Sequence, residues 1–437
     1  MQTALHPPPQ RVLAPRVLSV DVLRGLTIAL MILVNDPGDW SHVYAQLDHA
    51  PWNGFTLTDF VFPNFLFLVG ASIVFSLESR IARGEGKRTL ALHMFRRALT
   101  LFAIKMFLSA FPHFHMTHLR IFGVLTRIAI CYLIAGLICL AIWNSRRRVP
   151  KLLAITAALL VGYWALMRFV PVPGVVVMFT SNAIPTHAIP ILDPVNNLAA
   201  WLDRGFNAFT QRFLHTGSLY NKTRDPEGLL STIPAVATTL IGCLTGLWLR
   251  RANQNDCHSE RSEESPNSAR GAANSVRRPY SFVLYGFLSL ALGLLWNHTF
   301  PINKNLWTSS YVLFSAGLSL LLLALCYWLI DIRRLNDRPI GKTLLWPWLV
   351  FGSNAITAFI ISNFLVELAI WIKVPAGAWV SPSNPAKYIS TWQWTYIHLF
   401  ARHGSTCVTS VAFAICFVAL CFFPNWFLWR RKIFLKV

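Results

Sequence analysis

The strongest constraint on this chain is a row of apolar stretches, each about as long as a helix that crosses a bilayer. A hydrocarbon core about 30 Å thick takes roughly 20 apolar residues of helix. Ten such stretches follow one another, at about 17–36, 58–77, 90–110, 120–143, 152–170, 229–249, 281–297, 308–330, 344–366 and 405–429. Backbone amides cannot stay unpaired in hydrocarbon, so segments of this kind must form helices. The predicted fold is all-α: a polytopic transmembrane helix bundle of about ten spans. Composition agrees, with 54% hydrophobic and 13% charged residues among 437, where soluble domains carry about 25% charged. A water-soluble multidomain protein is excluded.

A formal net charge of +21 would suit nucleic acid, but the basic residues fall in short runs between apolar stretches. They also alternate. One set of loops holds Arg11 and Arg16; Arg80, Arg83, Lys87, Arg88, Arg96 and Arg97; Arg146 to Arg148 with Lys151; Arg250, Arg251, Arg261, Arg270, Arg277 and Arg278; Arg333, Arg334, Arg338 and Lys342; and Arg430, Arg431, Lys432 and Lys436. The intervening 37–57 loop has no Lys or Arg. Lys and Arg accumulate on the cytoplasmic side of a membrane, so both termini are predicted cytoplasmic and nucleic acid is set aside as a partner. The eight cysteines lie almost entirely in apolar runs with no C-x-x-C pair, so neither a metal knuckle nor a disulfide framework is expected. Arg11 and Arg16 precede the first span without a small-residue cleavage site, which reads as an uncleaved first helix.

The expected organisation is a cytoplasmic tail (1–16), a transmembrane half (17–249), a linker (250–279) and a second transmembrane half (280–437). The linker is rich in Ser, Asn, Arg and Glu and is expected to be disordered. Within the first half lie a polar loop, 35–59, and a long outer loop, 171–228, with Trp201 and Phe206 among polar residues. The long loop is either a cap over a site or an inert connection.

Ionisable groups at membrane depth are costly and face a cavity or a partner. Asp21 and Arg24 lie three apart on one helix face, where pairing with each other and binding a ligand both remain open. Arg127, well inside the fourth span, is the better ligand candidate; Lys105, near a span end, can snorkel. The richest polar stretch runs from Asn35 through His49, Trp52 and Asn53 to Asp59. A neutral imidazole suits proton transfer near pH 7, and a carboxamide can hold a carbonyl, so His49 and Asn35 are the catalytic candidates. Trp52 offers a face for a sugar ring, and Asn53 and Asp59 offer groups for hydroxyls or an amine. The plainer alternative is a histidine that anchors the membrane interface. His113-Phe-His115-Met-Thr-His118 has ligand types without a Cys or the right local spacing, and no metal is expected. Trp307, Ser309 and Asn354, polar groups beside aromatic ones in the eighth and ninth spans, are candidates for a substrate pocket or for helix–helix packing.

Several separated segments resemble one family. They are Ser19-Val-Asp-Val-Leu-Arg24-Gly25 running on to Asn35, His49-Ala-Pro-Trp52-Asn53-Gly54 with Asp59-Phe-Val-Phe-Pro63, Arg127-Ile-Ala, Asp225-Pro-Glu-Gly-Leu-Leu-Ser-Thr-Ile-Pro234, Pro301-Ile-Asn-Lys304-Asn-Leu-Trp307-Thr-Ser-Ser310 and Gly352-Ser-Asn354-Ala. In this order they are similar to the membrane-bound heparan-α-glucosaminide N-acetyltransferases and their bacterial members, some associated with N-acetylglucosamine use.

The resemblance implies transfer of an acetyl group from acetyl-CoA, as co-substrate, to the amine of a glucosamine-type acceptor across the membrane. It places the family's active-site histidine on His49 and its asparagine on Asn35. Coenzyme A is cytoplasmic and His49 is expected on the outer face, so the acyl arm would thread the bundle. Arg24 and Arg127 would be cations along that route, able to pair with phosphate or amide oxygens. The implied setting is the lipid bilayer of a bacterial inner membrane, with the active-site loop periplasmic or extracellular, and the resemblance leans towards a homodimer. His49 either deprotonates the acceptor directly, with Asn35 on the oxyanion, or is itself acetylated first. Two departures are expected to matter: the chain starts almost at its first span, without the luminal domain and leading helix of animal members, and bacteria generally have no heparan sulfate.

The alternative is a secondary transporter for N-acetylglucosamine or a related amino sugar, for which broken helices and a midplane carboxylate are the signature. Asp21, Asp59, Glu78 and Glu367 instead sit near span ends. A scaffold or lipid-binding protein would leave the His49 loop unexplained.

Overall fold

The computed structural model describes residues 17–173, 192–260, 268–375 and 388–434, with backbone alone at 251–260 and 268–279. The predicted tail 1–16, the centre of the predicted linker at 261–267 and part of the outer loop at 174–191 lie outside the described residues.

Among the described residues the regular structure is helical except for one short hairpin. In order come α1 (Leu18–Asn35), α2 (Leu57–Ala82), α3 (Lys87–Ala110), α4 (Val124–Ile142), α5 (Arg148–Phe169), α6 (Leu198–Leu214), α7 (Thr232–Glu260), α8 (Ser268–Asn297), α9 (Ser309–Tyr327), α10 (Pro339–Ser353) and α11 (Ala355–Trp371). The hairpin β1 (Lys373–Pro375) and β2 (Tyr388–Ser390) is antiparallel, and α12 (Thr391–Leu399) and α13 (Cys407–Arg430) follow. Eight described helices are long and apolar enough to cross a membrane, nine if the bent pair α10–α11 is one span. The tenth expected stretch is α3. It is long enough at about 36 Å, but Lys87, Arg88, Arg96, Arg97 and Lys105 make it too charged to pass on composition.

The expected span 344–366 is not one helix. It breaks between Ser353 and Asn354, and α10 and α11 meet at a bend of 78°. Pro339 starts α10 in the first helical turn, where a missing N–H does no harm, whereas no proline marks the break itself.

Small residues let the helices approach closely. A Cβ on Gly242 of α7 would lie 1.9 Å from the Phe67 carbonyl oxygen of α2, and one on Gly70 would lie 2.0 Å from the Thr239 carbonyl oxygen. Backbone contact of this kind supplies the dispersion that holds helices together where lipid removes the hydrophobic drive between them. Gly25 and Gly352 do the same where α1 crosses α10. Around these crossings α1, α2, α4, α7 and α9 share one apolar core that includes Ile32, Leu66, Leu125, Leu240 and Tyr311.

The start of α1 is capped from far along the chain. Asp331, just past α9, accepts hydrogen bonds from the Leu18 and Ser19 amides, both at 3.1 Å, which satisfies donors that a helix start leaves open. Arg24 bonds the Gly352 carbonyl at 3.2 Å and Asn354 bonds the Ile433 carbonyl at 3.1 Å. The beginning of α1 and the end of α13 therefore lie at the same end of the bundle.

Candidate active site

The site begins with a helix cap. Thr56 precedes α2; its hydroxyl accepts from the Asp59 amide at 3.3 Å and the Asp59 carboxylate accepts from the Thr56 amide at 3.2 Å. This reciprocal capping box fixes the first turn of α2. The same carboxylate takes the Ala50 amide at 3.1 Å and, through Oδ1, His49 Nδ1 at 2.7 Å. Tyr311 of α9 donates to the Asp59 carbonyl at 2.6 Å. Asp59 is buried, while the His49 side chain is 42% exposed. The pairing assigns Nδ1–H to the carboxylate side and leaves Nε2 as the free basic nitrogen. Asp59, expected to bind substrate, thus has the geometry of a group that orients His49.

Lys304 lies over the imidazole. Its Nζ lies 3.0 Å from His49 Nε2 and 3.2 Å from Nδ1. It sits in the 298–308 connection, which is tied to the His49 loop by Asn303 Nδ2 to Asn53 Oδ1 at 3.1 Å and by the Gly54 amide to the Ile302 carbonyl at 2.9 Å. Gly54 has φ +125°, a conformation that favours glycine. Burial pulls the Lys304 amine below its ordinary range; Glu227 and Asp59 oppose that shift and Arg127 adds to it.

Glu227 belongs to the Asp225-Pro-Glu-Gly turn. Arg120 grips it, through Nη2 to Glu227 at 2.6 Å, together with Asp225, through Nε at 2.8 Å and Nη2 at 2.6 Å. Burial alone would raise the Glu227 carboxyl, but Arg120, with Arg127 and Lys304, holds it below its ordinary range. Asp203 of α6 braces the turn from the other side, accepting the Asp225 amide at 3.3 Å and the Leu229 amide at 2.9 Å. Burial raises its carboxyl to about 6, against those two amides. The described part of the outer loop, 192–228, therefore packs onto the site through charged contacts.

Arg127, three residues into α4, is fully buried at this end of the bundle. Its Nη2 bonds the Gly228 carbonyl at 3.1 Å and the Ser231 hydroxyl, and its guanidinium lies 4.9 Å from the Trp307 ring centroid. Among the described residues its Nε and Nη1 meet no hydrogen-bond partner. Trp307 is itself core, with φ +51° and its indole N–H on Thr238 at 3.1 Å. Ser309 is likewise buried, bonded to the Leu160 carbonyl at 2.7 Å. Trp52 donates to the Leu192 carbonyl at 2.8 Å, and Arg224 covers one ring face at 4.6 Å.

Three expected residues stand apart. Asn35 ends α1, exposed, with no hydrogen bond to His49 or Asp59 among the described contacts. Arg24 pairs with Asp21 at 2.8 Å, and Asn354 lies beside it at the α10–α11 break, at the far end of α9 from Lys304. Sequence reasoning assigned no role to Lys304, Glu227, Arg120 or Asp203. The one available signal was a lysine and an acidic turn in motifs on the face otherwise poor in cations.

Residues 16–274 match the family described as heparan-alpha-glucosaminide N-acetyltransferase, catalytic. The chain is 27% identical to the human heparan-alpha-glucosaminide N-acetyltransferase over 379 residues, covering 80% of this chain and 53% of the human protein. The mouse protein of that name is 28% identical over 384 residues, covering 81% of this chain and 54% of its own length. The chain thus spans about half the length of these relatives. A match over more than half of the chain, with the His49 motif at the centre of the described geometry, makes this protein a member of the heparan-α-glucosaminide N-acetyltransferase catalytic family.

Proposed function

We propose that the protein moves an acetyl group from acetyl-CoA to the amine of an amino sugar, with His49 as general base. The observation that carries this reading is the Asp59–His49 pair at 2.7 Å, which presents a basic Nε2 at a half-exposed position. Asp59 holds the ring in one tautomer and stabilises the imidazolium that forms when the acceptor amine gives up its proton. Arg127, with two unpaired buried donors, fits an oxygen of the bound thioester or of its phosphate-bearing arm. In this reading the His49 end of the bundle faces the periplasm, the cation-rich end faces the cytoplasm, and Arg24 stands near the cytoplasmic mouth.

The transporter reading draws on one observation, the break at Ser353–Asn354 beside Arg24 and Asp21. The break lies at the far end from His49, so it does not account for the Asp59–His49 pair.

The test is transfer of labelled acetyl from acetyl-CoA to glucosamine by the purified protein, parent beside His49→Ala. Label on the sugar with the parent alone supports the assignment. Equal transfer by both removes His49 from the reaction, and absence of both transfer and acetyl-CoA binding favours the transporter.

A further inference from the structure

Resting on the acetyltransferase reading, the geometry points to Lys304 as an acetyl acceptor within the protein itself: its amine stands where the substrate amine must stand, and acetyl-CoA modifies it at Nζ. A base that serves an amino sugar needs a primary amine within hydrogen-bond reach of its free nitrogen. The structure has one lying over the imidazole, 3.0 Å from His49 Nε2 and 3.2 Å from Nδ1, on a flexible four-carbon stem that lets it swing onto the Nε2 lone pair.

The surroundings suit a nucleophile rather than a simple ion pair. Lys304 is half-buried, and no carboxylate oxygen makes a salt bridge to it among the described residues; its Nζ is directed at the imidazole instead. Burial favours its neutral form, and only the neutral amine has a lone pair to donate. Asp59 and Glu227 lie near enough to influence its charge, and Asp59, through Nδ1, supports the imidazolium that would form. The His49 loop and the 298–308 connection are joined at two further points, so the two nitrogens are held together by backbone as well as by their own contact.

The ammonium proton first goes to solvent. The neutral Lys304 nitrogen then attacks the thioester carbonyl, a C–N bond forms and the C–S bond breaks. The second nitrogen proton passes to His49 Nε2 and from there to the departing thiolate. The products are Nε-acetyl-Lys304 and free coenzyme A thiol, with no other reactant. Acetylation removes the positive charge beside Glu227 and leaves an amide in the acceptor position, so the modified protein is a self-inhibited form. An acceptor amine would have to displace Lys304 to reach His49.

The experiment incubates the full chain in detergent micelles with acetyl-CoA and no acceptor, follows Lys304 by peptide mass spectrometry, and assays glucosamine transfer in parallel. The expected result is one acetyl group on Lys304 in the parent, with the initial rate about a hundredfold lower in His49→Ala and in the more conservative His49→Gln, the scale of a lost general base. Exposed Lys222 reports background chemical acetylation, expected to be equal in all three. Acetylated glucosamine with unmodified Lys304 overturns the inference and leaves the acetyltransferase reading standing. Lys304 labelled equally with and without His49 overturns it as well. A parent that labels neither sugar nor lysine takes down both.

Discussion

Asp59 Oδ1 holds His49 Nδ1 at 2.7 Å from inside the capping box that starts α2, so one carboxylate both ends a loop and orients an imidazole. The nine residues between them form a closed loop whose two ends meet at that contact. The helix start and the imidazole are consequently built as one unit.

Asp59→Asn separates the two roles. An amide can still accept at the cap, but the site loses the charge that supports the imidazolium, and an amide nitrogen turned to Nδ1 favours the wrong tautomer. Acetyl transfer is expected to fall about a hundredfold or more in kcat, with the KM for acetyl-CoA little changed. Steady-state kinetics alongside a thermal melt decide it: an unchanged kcat would detach Asp59 from the chemistry.

Arg120→Met strands two acids. Asp225 is fully buried and Glu227 is one-tenth exposed at the side chain, and removing one partner of a buried pair costs about 3–5 kcal/mol. Chemical unfolding in micelles should show that loss. The double variant Arg120→Met with Glu227→Gln should recover part of it, because one uncompensated charge is gone.

Gly242→Val tests the α2–α7 crossing. Its Cβ would fall 1.9 Å from a backbone oxygen, and backbone has no rotamer with which to yield. The helices must separate, with a loss of about 1–3 kcal/mol or more. A melting temperature equal to that of the parent would show that the crossing tolerates a wider spacing.

Asp203 sets a pH dependence with a definite sign. Its carboxyl titrates near 6 in the fold and near an ordinary value of about 3.9 when unfolded. A raised acid contributes stability that is fully present below about pH 4 and is lost as pH rises through about 6, up to about 3 kcal/mol in all. Glu227 is shifted the other way, so its contribution has the opposite sign: it is present above the ordinary carboxyl range and is lost as pH falls through its depressed value. Asp203→Asn should flatten the change in unfolding midpoint between pH 4 and 7; a slope unchanged from the parent would assign the dependence elsewhere.

The helical bundle was legible because twenty apolar residues admit few alternatives, whereas the Asp59–His49 pairing was not read, Asp59 being expected to meet substrate. What escaped is informative. The Lys304–His49 contact joins residues 255 apart, a distance that no local pattern encodes. The α10–α11 break escaped because Gly352-Ser353-Asn354 is only a three-residue polar step, without proline, in an otherwise apolar run. Trp307 and Ser309 show the limit of reading polar groups in spans: both avoid lipid as expected, but each finds its partner in a neighbouring helix rather than in an open pocket.

The carboxylate that closes the start of α1 comes from Asp331, 313 residues later. At about 5–20 residues per second of synthesis, the first helix emerges roughly 15–60 seconds before its cap exists. During that interval α1 enters the bilayer with its leading amides dependent on headgroups and water, and its final seat is set only when the last third of the chain arrives. The order of translation and the order of assembly therefore differ: α1 is made well before it is completed, and two fragments divided within 250–279 and expressed together should find each other through this same late contact.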